Sequence, residues 1–496
     1  MTMIVIGLDG FHTNLLEFTP FTQEQFEQGN SGTLSSTQPP VTAPAWASFQ
    51  TGVNQGKHGV FDFIEYTENY EMEFVDGKKL RAKPVYERLD ESGYDCYLQN
   101  LPFSMPPRIE GDIMPSWLDG EETEPMPPDL TDKYNVRRPV YPDLDGDHLE
   151  NIEEMADSFK FNSEIFTSIL DEGDHDFYFF LVSVTDWLQH EAYDSLISEP
   201  NSEIAQSAKG LLGSVDSFVK KLFSNVSNKT DILLLSDHGF RLYEGAFFVN
   251  DWLAEQGYLN QSADGVRFTT KNETDSTIVT GGDFGRWIRN RWFWKFLRPL
   301  KNAVERGSEI SFSAEQGINL DKTIVYCRSK DEKAIRVNES YIGNDKVNIE
   351  GIVAELDEDD RVSANLGSNL YSGPYTDEGG EIILKDETHL VKRGPVGEVA
   401  TDETIAHHAQ EGIIIGSGPS FSDDPENASL VDVMPTILLQ FGLPIPEYLD
   451  GKVLAEFIDK KNANFIHETE YDPKFYSKSE SSEEVQDRLE NLGYLN

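Results

Sequence analysis

The strongest constraint on this chain is a set of four short apolar runs, each breaking into polar residues. They are Ile4–Leu8 before Asp9, Tyr178–Val184 before Asp186, Ile232–Leu235 before Asp237, and Gly412–Gly416. Apolar runs of this length suit parallel strands covered on both faces. Helical patterns lie between them, as in Asn151–Leu170 and Ile204–Leu222. The alternation predicts an α/β fold, a doubly wound and mostly parallel sheet flanked by helices. Ligands of such sheets gather outside the carboxyl ends of the strands, where Asp9, Asp186 and Asp237 fall.

Composition narrows the field. With 38% hydrophobic and 11% aromatic residues over 496 positions, the chain is not globally disordered. It carries 41 Lys+Arg against 88 Asp+Glu, a net charge of −47. Such a field repels a phosphate backbone, so nucleic-acid binding is not expected. The acid recurs in clusters such as Asp357-Glu358-Asp359-Asp360. That pattern reads as a solvated acidic surface or, more sharply, as adaptation to molar salt, where screening removes the repulsion. Cys96 and Cys327 are too few for a disulfide scaffold and read as buried thiols. The N-terminus lacks a basic n-region, and the longest apolar run, Phe177–Val184, falls far short of the ~20 residues of a membrane span. The expectation is a cytoplasmic protein without signal peptide or transmembrane segment.

Two stretches interrupt the alternation. Residues 102–148, rich in Pro, Asp and Gly, read as an excursion over the site; residues 262–320 read as a second insertion. Within the second, Arg286–Lys301 holds six basic residues, three Trp and no acid. It reads as a lid helix whose cations offset the acidic body. The sharper alternative is a clamp, through residues such as Arg289 and Arg291, for an anionic, lipid-linked or sugar-linked phosphate, with peripheral membrane contact. Near the end, Ser481 and Glu484 have capping-box spacing ahead of a short helix closing near Gly493.

The chemistry concentrates at the strand ends. Asp186 and His190 are four apart, so one helical turn places both on one face. Asp237-His238 follow the third run, Asp9 follows the first, and His408 precedes the fourth, with His407 beside it as the alternative. Carboxylate and imidazole together suit zinc, with manganese or iron as competitors, and six such groups suffice for two ions. The segment Pro40-Val41-Thr42-Ala43-Pro44 predicts a helix start with Thr42 at its N-terminus. There, free N–H groups favour a phosphate, unless Thr42 is a plain N-cap. Trp46 reads as core packing under that helix or, less favoured, as a platform for a base or sugar. His58 reads as a structural hydrogen-bonding residue.

These motifs, in this order, resemble the alkaline phosphatase superfamily: Leu8-Asp9-Gly10, Thr42-x-Pro44 with Thr51-Gly52 and His58-Gly59, Asp186-x-x-x-His190, Ser236-Asp237-His238-Gly239, and His408-x-x-Glu411-Gly412. They are most similar to its type I phosphodiesterase/nucleotide pyrophosphatase family. Phe248–Leu253, Asp432–Leu438, Gly442–Pro446 and Asp450-Gly451 extend the likeness through residues 1–455, with 456–496 as a C-terminal extension. The resemblance implies one metal held by Asp186, His190 and His408, and a second by Asp9, Thr42, Asp237 and His238. It implies Thr42 as the nucleophile, forming a phosphothreonine ester that water then hydrolyses. The implied substrates are phosphodiesters, nucleotides or sugar phosphates. Ala45 stands where many members carry Asn, which leaves the substrate more open than the metal site. A phosphomonoesterase, another phosphoryl- or sulfuryl-transfer member of the superfamily, or a non-catalytic binding relative are the alternatives. The Ala45-Trp46 context disfavours a sulfatase.

Overall fold

The computed structural model describes residues 2–66, 72–120, 123–261, 318–328, 333–342, 347–458, 464–467 and 489. The elements that matter for the site are, in chain order, β1 (Thr2–Leu8), β2 (Ser31–Ser35), α1 (Thr42–Thr51), β3 (Cys96–Gln99), β4 (Asp112–Met114), α2 (His148–Glu172), β5 (Phe177–Val182), α3 (Val184–Ser198) and α4 (Glu203–Asn225). They continue with β6 (Thr230–Leu235), β7 (Gly239–Tyr243), β8 (Ile405–Ala409), β9 (Glu411–Ser417), β10 (Ala428–Ser429) and α5 (Leu430–Gln440). The central sheet has the order β10-β2-β9-β6-β1-β5-β3-β4.

The apolar runs are explained by what covers them. Ile4, Ile6 and Leu8 of β1 join the core built with α2, α3 and α4, while Met3 and Val5 join the opposite core with Trp46, Phe49, Val433 and Met434. Alternate side chains of one strand thus enter different cores, which is why it reads as an unbroken apolar run from Met3 to Leu8. Helix α2 starts where Asp147 accepts from the N–H groups of Leu149 and Glu150, completing a capping box with Glu150.

Three expectations need correction. The fourth run, β9, is antiparallel to β6, with Ile414 opposite Leu235, and antiparallel to β2 as well. A strand buried on both faces carries no sequence mark of its direction. The second run ends at Val182, and Val184 already belongs to α3. Residues 102–148 do more than cross over, since they contribute β4, which extends the central sheet beyond β3. The Arg/Trp stretch, including Arg289 and Arg291, and the helix expected after Ser481 lie outside the described residues; of that helix only Leu489 is described, and it is buried in the first core.

Between β7 and β8 the chain builds a second, antiparallel sheet in the order Val325–Cys327, Ala334–Val337, Ile382–Asp386, Val362–Leu366. It has its own core, including Phe247, Val249, Trp252, Ile335, Ile352 and Leu384. Phe465–Ile466 pairs with Ile445–Pro446. Among the described residues no helix is long and apolar enough to cross a membrane.

Candidate metal centre

The register of the sheet brings the acids together. Leu8 lies opposite Val182, and Gly7 opposite Leu235, so β1, β5 and β6 end at one level. Asp9 follows β1 directly, Asp237 stands two residues beyond β6, and Asp186 lies in the first turn of α3. Gly10 turns the chain at φ +64°, and its N–H donates to Asp237 Oδ1 at 3.1 Å. A Cβ there would lie 2.8 Å from Asp186 Oδ1, so both the turn and the close approach require glycine.

His190 stands on α3 one turn after Asp186, and the other two imidazoles arrive from the β7–β8 ladder. His408 on β8 is paired with Phe240 on β7, and His238 immediately precedes β7. Because β9 runs antiparallel, the residues just before it lie at the carboxyl edge of β6; a parallel β9 would have carried His408 to the opposite edge. The rings of His238 and His408 stack at 3.9 Å between centroids.

The atoms converge closely. His190 Nε2 lies 3.4 Å from Asp186 Oδ2 and 2.9 Å from His408 Nε2, and His408 Nε2 lies 3.3 Å from Asp186 Oδ1. On the other side, His238 Nε2 is 3.3 Å from Asp237 Oδ2, 3.8 Å from Asp9 Oδ1 and 3.1 Å from Thr42 Oγ1. The seven residues expected around the metals, Asp9, Thr42, Asp186, His190, Asp237, His238 and His408, therefore lie in one cluster. The tightest groupings are Asp186 with His238 and His408, and Asp9 with Asp237 and His238, so His238 reaches both halves.

The donor set fits divalent cations. Asp9, Asp186 and Asp237 are at most 1% exposed. Three buried carboxylates this close are costly unless cations neutralise them. Burial, followed by the charges of Asp237 and Asp186, holds the Asp9 carboxyl well above its usual range. Asp9 Oδ1 and Asp237 Oδ2 receive no hydrogen bond. His408 Nδ1 donates to the Pro40 carbonyl at 3.1 Å, and His238 Nδ1 to the Gly239 carbonyl at 3.0 Å. Each ring is oriented through Nδ1 and turns its Nε2 toward the acids, as in a histidine that binds a metal through Nε2. Burial and the neighbouring His238 push His408 down to about 3, so it stays neutral.

Thr42 is the first residue of α1. Val41 precedes the helix, with no side-chain cap, so the hydroxyl is not used as an N-cap. Trp46 is fully buried, edge-on to Phe49 and Phe179. His407, next to His408 on the strand, stacks over Phe240 and belongs to neither ligand grouping. His58 is fully buried, with Nε2 2.9 Å from Ser48 Oγ, and both cysteines are free and buried.

A family model described as type I phosphodiesterase/nucleotide pyrophosphatase matches residues 3–337, more than half of the chain. The chain belongs to this family. Type I phosphodiesterases and nucleotide pyrophosphatases are metal-dependent phosphoric ester hydrolases, and the two groups of residues that could hold a metal ion, among the described residues, lie at the strand ends. Solved structures share its alkaline-phosphatase-like fold. Phosphonoacetate hydrolase from Sinorhizobium meliloti 1021, in complex with phosphonoformate, is 17% identical, with a TM-score of 0.55 over 88% of this chain and 94% of that one. An inactive form of murine ectonucleotide pyrophosphatase/phosphodiesterase 5, in complex with AMP, is 12% identical, with a TM-score of 0.51 over 89% of this chain and 95% of that one. No curated protein matches the sequence.

Sequence reasoning missed the residues that brace the ligands. Thr185 Oγ1 donates to the Asp9 carbonyl, Gln189 contacts Gly10 and His12, and the Tyr243 hydroxyl donates to the His408 carbonyl at 2.6 Å. Thr185 and Gln189 are spaced as Asp186 and His190 are, one residue earlier. That parallel spacing was the available signal.

Proposed function

We propose that this phosphodiesterase-family member is a two-metal hydrolase of phosphodiesters or nucleotide pyrophosphates, acting through a covalent phosphothreonine at Thr42. The observation that carries this reading is the Thr42 hydroxyl, which opens α1 within the carboxylate–imidazole cluster, 3.1 Å from His238 Nε2, and caps nothing. Asp186, His190 and His408 would hold one divalent cation; Asp9, Thr42, Asp237 and His238 would hold the other. Zinc suits this oxygen and imidazole set first, with manganese or iron as alternatives. When bound, such a pair stabilises charge on the attacking and leaving oxygens and acidifies water or a hydroxyl.

The chain's own groups supply the rest. N–H groups in the first turn of α1 have no partner within the helix, so they can receive phosphoryl oxygens beside Thr42. Thr42 Oγ1, once deprotonated, forms a bond to phosphorus as the ester oxygen departs. Water then attacks the same phosphorus and releases Thr42. Burial of the cluster strengthens every charge interaction inside it. The substrates are small phosphate esters, the class to which the AMP bound to the murine neighbour belongs.

Acid quenching during turnover, followed by peptide mass spectrometry, should find one phosphoryl group on Thr42. Thr42→Ala should lose both the label and turnover. Full turnover by Thr42→Ala, or a label elsewhere, overturns the proposal. Bis-p-nitrophenyl phosphate, p-nitrophenyl phosphate and nucleotide sugars, assayed in molar salt, separate diesterase from monoesterase action.

A further inference from the structure

We infer that Gln189 is a positioning residue that joins the two halves of the metal centre, so that both cations are held as one unit. The inference rests on the two-metal reading above. One half takes its ligands Asp186 and His190 from α3; the other takes Asp9 from the turn after β1. Nothing covalent links these elements.

The link is made by side chains of α3. Thr185 Oγ1 donates to the Asp9 carbonyl at 2.6 Å, and Gln189 Nε2 donates to the next carbonyl, that of Gly10, at 2.9 Å. The same nitrogen donates to the Thr185 carbonyl at 2.9 Å, and Gln189 Oε1 accepts from His12 Nε2 at 3.0 Å. Gln189 is 1% exposed, so these partners are not exchanged for water. Two positions one turn apart grip the turn's backbone, while the positions directly after them, Asp186 and His190, face the cations. Gly10 is itself wedged in place, since a Cβ on it would lie 3.2 Å from Gln189 Nε2 and 2.8 Å from Asp186 Oδ1. Gly10, and with it the turn that carries Asp9, therefore cannot move away from α3 without breaking the Gln189 amide contact to its carbonyl.

Gln189→Met keeps the volume but deletes these bonds, leaving the Gly10 carbonyl and the His12 donor unsatisfied in a dry interior. The full-length protein, loaded with zinc, is mixed with excess chromophoric chelator and metal release is followed in time. The wild type should release two equivalents in a single phase. Gln189→Met should split the release, with one equivalent leaving on the order of 10- to 100-fold faster, the scale expected when a ligand's supporting hydrogen bonds are removed. A purely structural role would lower the melting temperature without splitting the phases. Should Gln189→Met fail to fold, His12→Phe removes only the donor to Oε1 and should give the same split, smaller in size. Single-phase release from a folded Gln189→Met, or from His12→Phe when that is the variant measured, overturns the inference. A wild type that binds fewer than two equivalents overturns the two-metal reading and the inference with it.

Discussion

His58 ties the stability of this fold to pH in a way that can be worked out beforehand. It closes the helical turn Gln55–His58 with no exposure; the Val60 N–H donates to its Nδ1 at 3.1 Å, so the ring proton sits on Nε2, beside Ser48 Oγ. Burial pushes its pKa from 6.5 down to about 3. Between these values the unfolded chain binds a proton that the folded chain refuses. The stability tied to His58 is therefore intact above pH 6.5 and is lost progressively as pH falls toward 3. At pH 4.5 the loss spans 6.5 − 4.5 pH units, or about 2.7 kcal/mol at 1.36 kcal/mol per unit. His58→Asn removes this titration and leaves the other groups in place. Urea unfolding of both proteins in the same molar salt, at pH 7.5 and pH 4.5, isolates the effect, because the remaining pH dependence cancels in the difference. The stability advantage of the wild type should shrink by about 2.7 kcal/mol at the lower pH. An advantage unchanged to within about 0.5 kcal/mol would refute the reasoning, since it would mean that the imidazole is protonated equally in both states.

Three further outcomes are expected. Gly7→Ala would place a Cβ 2.5 Å from Trp46 Cη2 and 2.9 Å from Leu181 Cδ1; it should destabilise by about 1–3 kcal/mol, and an unchanged melting temperature would show that β1 and α1 can separate. Lowering salt from molar to millimolar should destabilise a chain of charge −47, and a flat or rising thermal midpoint would count against salt adaptation. Replacing Arg289, Arg291 and Lys295 together with Gln should raise KM for the preferred nucleotide or sugar-phosphate substrate while sparing bis-p-nitrophenyl phosphate. Equal effects on both substrates would make the segment structural.

The parts of the centre that local spacing determines were legible in the sequence. Asp186 and His190 meet because four residues make about one helical turn, and Asp9 and Asp237 meet because buried strands end where polarity returns. The direction of β9 was hidden, because Ile413, Ile414 and Ile415 satisfy a two-faced interior whichever way the strand runs. The second sheet was hidden for another reason. Its strands span three to five residues each, too short for alternation to stand out from the surrounding loops. Trp46 was readable mainly as core, with the platform reading less favoured, because an aromatic residue four positions after Thr42 on a buried helix suits both until its burial is known. Gln189 offered only its four-residue spacing from Thr185, since its value lies in the Gly10 carbonyl and the His12 ring, which reach it from another element.

The β7–β8 ladder also bears on how this protein can change over generations. Tyr243 lies opposite Ile405, so the long excursion between them leaves and re-enters the catalytic body at a single clasp. His408 and His238 stand at the other end of that ladder, where Ala409 lies opposite Gly239. Closing a longer loop costs only about 0.6 kcal/mol for each doubling of its length. Lineages can therefore lengthen or shorten the loops of this excursion at little entropic cost while the ladder that carries His238 and His408 keeps its register.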